Sequence, residues 1–318
     1  MRPLLAGLLA LVASTAAAAT QVHYVMGTFL RVDVDDDVTP DVFGGCFAAA
    51  RDLDRTFSRF DPASELVRVN AAGGGAAGAE FRRAVGQALA LTRTTHGTFD
   101  VSVGALTALW RAPRAPGREA VAAARRTVGR VAVAGDRIVL GPGTQLDFDG
   151  FAKGLAVDAC VDALRRAGVT RALVTFGESS LYALGTPHGA TAWPIRLRGV
   201  DPTHAVARLE LRDEAAAVSA VYGGAGRTTP AQHGHLVDPR SGACLTDDAV
   251  GVVVSSSAAA AEAYAKMVLV DGPRAAEAAG ATGAARITRD AVAASAAMRG
   301  RLRVYTHPEA LGGEVALR

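Results

Sequence analysis

No block of like charge runs through this sequence. Its 34 Lys and Arg stand against 31 Asp and Glu, for a net charge of +3. Both signs are scattered, and without a basic stripe nucleic acid is not expected as a partner. The densest acidic run, Asp35 to Asp37, is short and reads as a solvated turn between strands rather than a metal site. Cysteine is scarce. Cys46, Cys160 and Cys244 lie far apart with no CxxC or zinc spacing. Their odd number leaves at least one outside any pairing within the chain, and the expectation is buried thiols packed as small apolar groups. Beyond the N-terminus no stretch is long and charge-free enough to span a bilayer. Neither a linker nor an internal repeat divides the chain.

What is present is globular in kind. Half of the 318 residues are apolar and a fifth are charged, enough for a sizeable buried core. The first residues differ from the rest. Met1-Arg2-Pro3 carries positive charge, Leu4 to Val12 is apolar, and Ala13 to Ala19 are small. This is the form of a secretory signal peptide over residues 1–19, cleaved after Ala18 or Ala19. No Cys lies near that point to carry a lipid. A soluble, periplasmic or otherwise exported protein of residues 20–318 is expected.

Hydrophobic periodicity predicts helices over Asp41–Phe57, Phe81–Thr94, Ala120–Val128, Ala152–Ala167 and Ala258–Leu269, with a short helical turn over Ser64–Asn70. Strands are predicted over Val22–Val34, interrupted at Gly27-Thr28, and over Leu146–Phe148, Ala172–Phe176, Leu181–Leu184, Ile195–Leu197, Ala207–Leu211 and Ala249–Ser255. Val131–Val133 and Ile138–Leu140 form a hairpin, and Arg301–Thr306 closes the sheet. Ala71–Ala79 is a loop. The order lacks a regular βαβ beat, which predicts an α+β fold, a single domain with a largely antiparallel sheet flanked by helices.

Two generic motifs are set aside. Gly73-x-Gly75-x-x-Gly78 matches a dinucleotide fingerprint but follows a helical segment and lacks a later acid on a second strand. Gly177-Glu178-Ser179-Ser180-Leu181 resembles a nucleophile elbow but lacks the closing glycine and a following helix. Two others carry chemistry. Leu146-Asp147-Phe148-Asp149-Gly150-Phe151-Ala152-Lys153-Gly154 is a glycine turn opening a helix. Amides at a helix N-terminus attract phosphate oxygens, and Lys153 is placed to meet a phosphate or pair with an acid. His233-Gly234-His235-Leu236-Val237-Asp238-Pro239-Arg240-Ser241-Gly242 brings a proton-carrying imidazole near a carboxylate in a turn-forming stretch.

In order along the chain, five segments resemble the ApbE family. They are Met26-Gly27-Thr28, Phe57 to Leu66, Thr95 to Gly104, Asp147 to Asp158, and His235 to Gly242. The resemblance implies FAD in a central cleft of an α+β domain. It implies transfer of FMN from FAD onto a Thr or Ser hydroxyl of an exported or membrane-bound acceptor protein, with release of AMP. Carried over, Met26, Phe60, Thr98, Phe99, Asp100 and Asp147 contact FAD. His235 is the base, with Asp238 orienting it or serving in its place. The family's Mg²⁺ at the pyrophosphate takes a turn carbonyl, here Gly150, and an Asp and a Thr one helical turn apart on a late helix.

This chain departs from that pattern. Glu262 stands where the Asp would be and Lys266 where the Thr would be. The family's Gly-Gly-Asp turn reads Gly177-Glu178-Ser179. A protonated lysine ligates no cation and repels one. The expectation is that the Lys266 ammonium occupies part of the metal's place, paired with Glu262 and the FAD pyrophosphate. The alternatives are an FAD-binding relative without transferase activity, acting as a flavin carrier or scavenger, and an FAD pyrophosphatase.

Overall fold

The computed structural model describes residues 19–200, 204–221, 236–310 and 316–317. The signal segment up to Ala18 and the stretch His233 to His235 lie outside the described residues. In chain order the elements are β1 (Ala19–Val25), β2 (Thr28–Val34), α1 (Val42–Phe57), α2 (Glu65–Ala72), β3 (Gly74–Ala76), α3 (Ala79–Thr94), α4 (Gly104–Arg111), α5 (Arg118–Arg125), β4 (Val131–Ala134), β5 (Arg137–Leu140), α6 (Ala152–Arg166), β6 (Ala172–Phe176), β7 (Ser180–Leu184), β8 (Trp193–Arg198), β9 (His204–Leu211), β10 (Glu214–Ala220), β11 (Val250–Ser255), α7 (Ala258–Asp271), α8 (Pro273–Ala278), β12 (Gly283–Ile287), β13 (Val292–Ala294), β14 (Leu302–Ala310) and β15 (Ala316–Leu317).

The main sheet has eight strands in the order β1-β2-β6-β7-β10-β11-β12-β13, and every neighbouring pair is antiparallel. Alternate side chains on a strand face opposite ways, and here both faces are covered. Val174 and Phe176 of β6, Ala217 of β10 and Val253 of β11 join the core formed with α1, α6 and α7. Leu173, Val218, Val252 and Val254 pack instead with Ile195, Leu197 and Leu209 of β8 and β9. The result is a helix layer, the main sheet, and a second sheet ordered β14-β9-β8-β15. The expected mixed fold with a largely antiparallel sheet is what the chain adopts.

Apart from elements it did not foresee, such as α4 and β10, the sequence reading differs from the structure in four details. Leu146–Phe148 is extended but joins no sheet; its alternation separates cleft from core instead. Arg301–Thr306 falls on β14, which belongs to the second sheet rather than closing the main one. Within Ala71–Ala79, residues Gly74–Ala76 form β3, paired with β5. A Cβ at Gly74 would lie 2.7 Å from the Ile138 carbonyl oxygen, so only glycine allows that approach. The fourth concerns the cysteines. Cys46 and Cys160 are not thiols but form a disulfide. Each sits on the buried stripe of its helix, and packing α1 against α6 brings the two stripes together.

One junction positions everything that follows. Helix α6 meets the N-terminus of α7 at Gly154, where a Cβ would lie 2.7 Å from both the Ala258 oxygen and the Ala259 Cα. One turn on, the Asp158 carboxylate accepts the Ala258 and Ala259 amides at 2.7 and 3.0 Å, and Ser257 caps the Ala260 amide at 3.1 Å. The first donors of α7 are thus met by its neighbour α6 and by its own cap.

Candidate active site

The glycine turn is built by alternation. Leu146, Phe148 and Phe151 are buried. Phe148 lies 4.4 Å from the Phe57 ring centroid and Phe151 lies 5.3 Å from that of Phe99. Asn70 clamps Leu146 through both backbone groups, at 2.8 and 2.7 Å, and the Asp147 amide donates to the Val101 carbonyl at 2.7 Å. With the aromatic side anchored, Asp147, Asp149 and Gly150 face a cleft of about 1130 Å³. Helix α6 begins just beyond, so its N-terminal end opens onto the same space.

Two arginines hold the acids of the turn. Arg111 Nη2 lies 2.8 Å from both Asp147 Oδ2 and Asp149 Oδ2. Thr107 donates to Asp147 Oδ2 at 2.6 Å, and Arg59 Nε donates to Asp149 Oδ2 at 2.7 Å. Arg59, Thr107 and Arg111 were missed by the sequence reading. The last two lie on α4, and Leu106, Leu109 and Trp110 at helical spacing were the signal that could have found it. Phe60 is exposed, with the Arg59 guanidinium 3.8 Å over its ring.

The floor of the cleft is cationic. Glu262 of α7 is buried, with only 3% of its surface exposed. One carboxylate oxygen accepts from Ser180 and the other from Lys266. Lys266 Nζ also donates to the Gly150 carbonyl at 2.9 Å. Lys153, on the first turn of α6, donates to Ser179. Burial holds Lys153 below the usual lysine value, Glu262 opposing this and Lys266 adding to it. Burial works to raise Glu262, but the charges of Lys266 and Lys153 and the bonds from Lys266 and Ser180 outweigh it and hold the carboxyl low. At the mouth, Gly177 and Glu178 both have left-handed backbone, φ 59° and 57°. The non-glycine strain at Glu178 is set against its ion pair with Arg198 at 2.6 Å.

The remaining sites form the rim. Thr98, Phe99 and Asp100 line the cleft. Asp100 is buried, which raises its pKa, while bonds from the Ser102 hydroxyl and amide pull it down. Met26 and Gly27 make the two-residue turn between β1 and β2, with φ 50° and 75°. Gly27 and Thr28 reach the cleft, while the Met26 side chain packs against the core. Asp238 organises its own turn, accepting from the Arg240 amide at 3.0 Å, Arg240 Nε at 3.2 Å and the Ser241 hydroxyl at 3.1 Å. Arg240 in turn bonds Asp271 at 2.9 Å. Leu236, Val237 and Pro239 of this segment line the cleft; Met26, Phe60 and Asp238 do not form its wall. His235 lies outside the described residues.

The residues do not fit the divalent cation that the resemblance implies. Gly150 O and Glu262 already accept hydrogen bonds from Lys266 and Ser180. Lys266 stands where the resemblance implies an oxygen ligand, and among the described residues no group of three His, Cys, Asp or Glu is arranged to hold a metal.

Fold and site together define a class: a single α+β domain whose cleft offers a helix N-terminus, two ammonium groups and aromatic backing to an anionic, ring-bearing ligand. The ApbE family model matches residues 26–287, and the chain belongs to the ApbE family. It is similar to a curated FAD:protein FMN transferase of Rhodobacter capsulatus, 28% identical over 325 residues that cover 94% of this chain and 61% of that one. It is similar to another FAD:protein FMN transferase, of Klebsiella pneumoniae, 26% identical over 294 residues, covering 83% and 82%. The chain thus spans less than two thirds of the Rhodobacter relative. The apo flavinyl transferase ApbE of Pseudomonas stutzeri shares the fold, with a TM-score of 0.76 at 23% identity, covering 89% of this chain and 96% of that one.

Proposed function

We propose that this chain binds FAD in the cleft and transfers its FMN moiety to a Thr or Ser hydroxyl of an exported acceptor protein. The carrying observation is that the glycine turn, the α6 N-terminus and the Glu262/Lys266 face of α7 meet in one cleft. A pyrophosphate there meets helix amides, Lys153 and Lys266. Phe99, packed on Phe151, gives the cleft an apolar wall against which a flat ring would lie.

In the reaction the acceptor hydroxyl oxygen attacks the FMN-side phosphorus. A new P–O bond forms, the bond from that phosphorus to the bridging oxygen breaks, and AMP leaves with that oxygen. The hydroxyl proton passes to a base. His235 is the base in this reading. Asp238, engaged by Arg240 and Ser241, acts as a positioning residue that holds the segment against the cleft. Catalysis is mainly positioning and charge neutralisation. Export is supported by the N-terminal pattern and by the Cys46–Cys160 disulfide, which persists in an oxidising compartment.

The test is to incubate the purified chain with FAD and a Thr-bearing exported acceptor, then read in-gel flavin fluorescence and chromatograph the nucleotides. A fluorescent acceptor band with released AMP is expected. Free FMN plus AMP identifies a pyrophosphatase. Intact FAD identifies a binding protein, a reading favoured by the filled ligand positions at Gly150 and Glu262.

A further inference from the structure

We propose that the Lys266 ammonium is a built-in cation, holding the pyrophosphate of the bound dinucleotide in place of a divalent metal ion. The inference rests on the FAD reading above and deepens it. Three observations carry it.

The first is occupancy of the donors. The turn carbonyl of Gly150 and one carboxylate oxygen of Glu262 converge on the same nitrogen, Lys266 Nζ. The second carboxylate oxygen is taken by Ser180. An ammonium has three N–H groups. Two serve the protein, and the third is assigned to a phosphate oxygen.

The second is charge. Lys153 and Lys266 share the floor with Glu262. The nearby Asp147 and Asp149 carboxylates are already paired with Arg111 and Arg59, so a divalent cation entering there meets two ammonium groups against the one carboxylate of Glu262 in a partly dehydrated site, where such repulsion is poorly screened. A pyrophosphate meets the reverse balance.

The third is the fixed path of the side chain. The Lys266 stem crosses the open face of Gly150, where a Cβ would lie 3.2 Å from Cε. Only 14% of the side chain is exposed. Helix α7 is itself fixed through Gly154, Asp158 and Ser257. The ammonium therefore has one position, as a bound ion would.

The experiment is calorimetric titration of FAD into the purified chain, in excess EDTA and again with excess MgCl2. The two affinities are expected to agree within about threefold. Lys266→Thr, which restores an oxygen ligand, should bind about tenfold or more weakly in EDTA and recover with Mg²⁺. Lys266→Met, which keeps bulk without charge, should bind weakly in both. Circular dichroism checks that each variant is folded, and the unsubstituted chain decides alone if neither is. An affinity of the unsubstituted chain that rises about tenfold or more with Mg²⁺ overturns the built-in cation and leaves the FAD reading standing. So does unchanged binding by folded Lys266→Met. No FAD uptake in either condition overturns the nucleotide reading, and this inference with it.

Discussion

Asp158 shows how a single carboxyl is pulled two ways. It accepts two helix amides, which favour the charged form, yet burial dominates and raises its pKa from 3.8 to about 6. A folded-state value above the unfolded one contributes stability that is complete below about pH 4 and is lost as pH rises through about 6. The span corresponds to on the order of 3 kcal/mol. Melting temperatures of the unsubstituted chain and Asp158→Asn, compared across pH, should show their difference shifting against the unsubstituted chain between about pH 4 and 6, then levelling. Gly154 is a second decisive position. An added Cβ would meet backbone rather than a yielding side chain. Gly154→Ala should cost roughly 1–3 kcal/mol in urea denaturation and weaken FAD binding, because α7 carries Glu262 and Lys266 away from the turn.

At the scale of elements, α1 and α6 are joined by the disulfide across a sequence separation of 114 residues. Replacing both Cys46 and Cys160 with Ala should lower unfolding free energy by roughly 2–5 kcal/mol, measured in guanidinium. Adding reductant should move the unsubstituted chain the same way and leave the double variant unaffected. This bond was not legible in the sequence. Nothing in the position of either cysteine announces a partner so distant, and only the packing of two predicted helices brings them together. The helices themselves were legible, because α1, α3 and α6 are long enough for apolar spacing to register, while α7 is a long Ala-rich run behind a Ser257 cap. Strand β10, Glu-Ala-Ala-Ala-Val-Ser-Ala, was not. Alanine suits helix and strand alike, and burial on both faces erases alternation. The glycine turn was legible as a turn. Its preceding residues imitated a strand, because an anchor of alternating Phe and Asp has the same period as a pleat.

Over the whole molecule, the cleft draws on residues from Val22 to Lys266. Local motifs announced its floor, while the arginine clamp of Arg59 and Arg111 came only with the assembled fold. A ligand contacting so many elements stabilises them jointly. Saturating FAD, at about a hundred times its dissociation constant, should add about 2.7 kcal/mol and raise the melting temperature, as scanning calorimetry would record. An absence of any shift would count against FAD as the ligand of this cleft.

The disulfide has one further consequence. Residues 46 to 160 form a closed covalent ring that contains the Thr98 loop, the Arg111 helix and the glycine turn. A protease that nicks a surface loop inside this ring, such as the Pro-containing stretch Ala112 to Gly117, produces two pieces that remain tethered. Digested protein should therefore migrate as one band on a non-reducing gel and separate into fragments only once a thiol reagent is added.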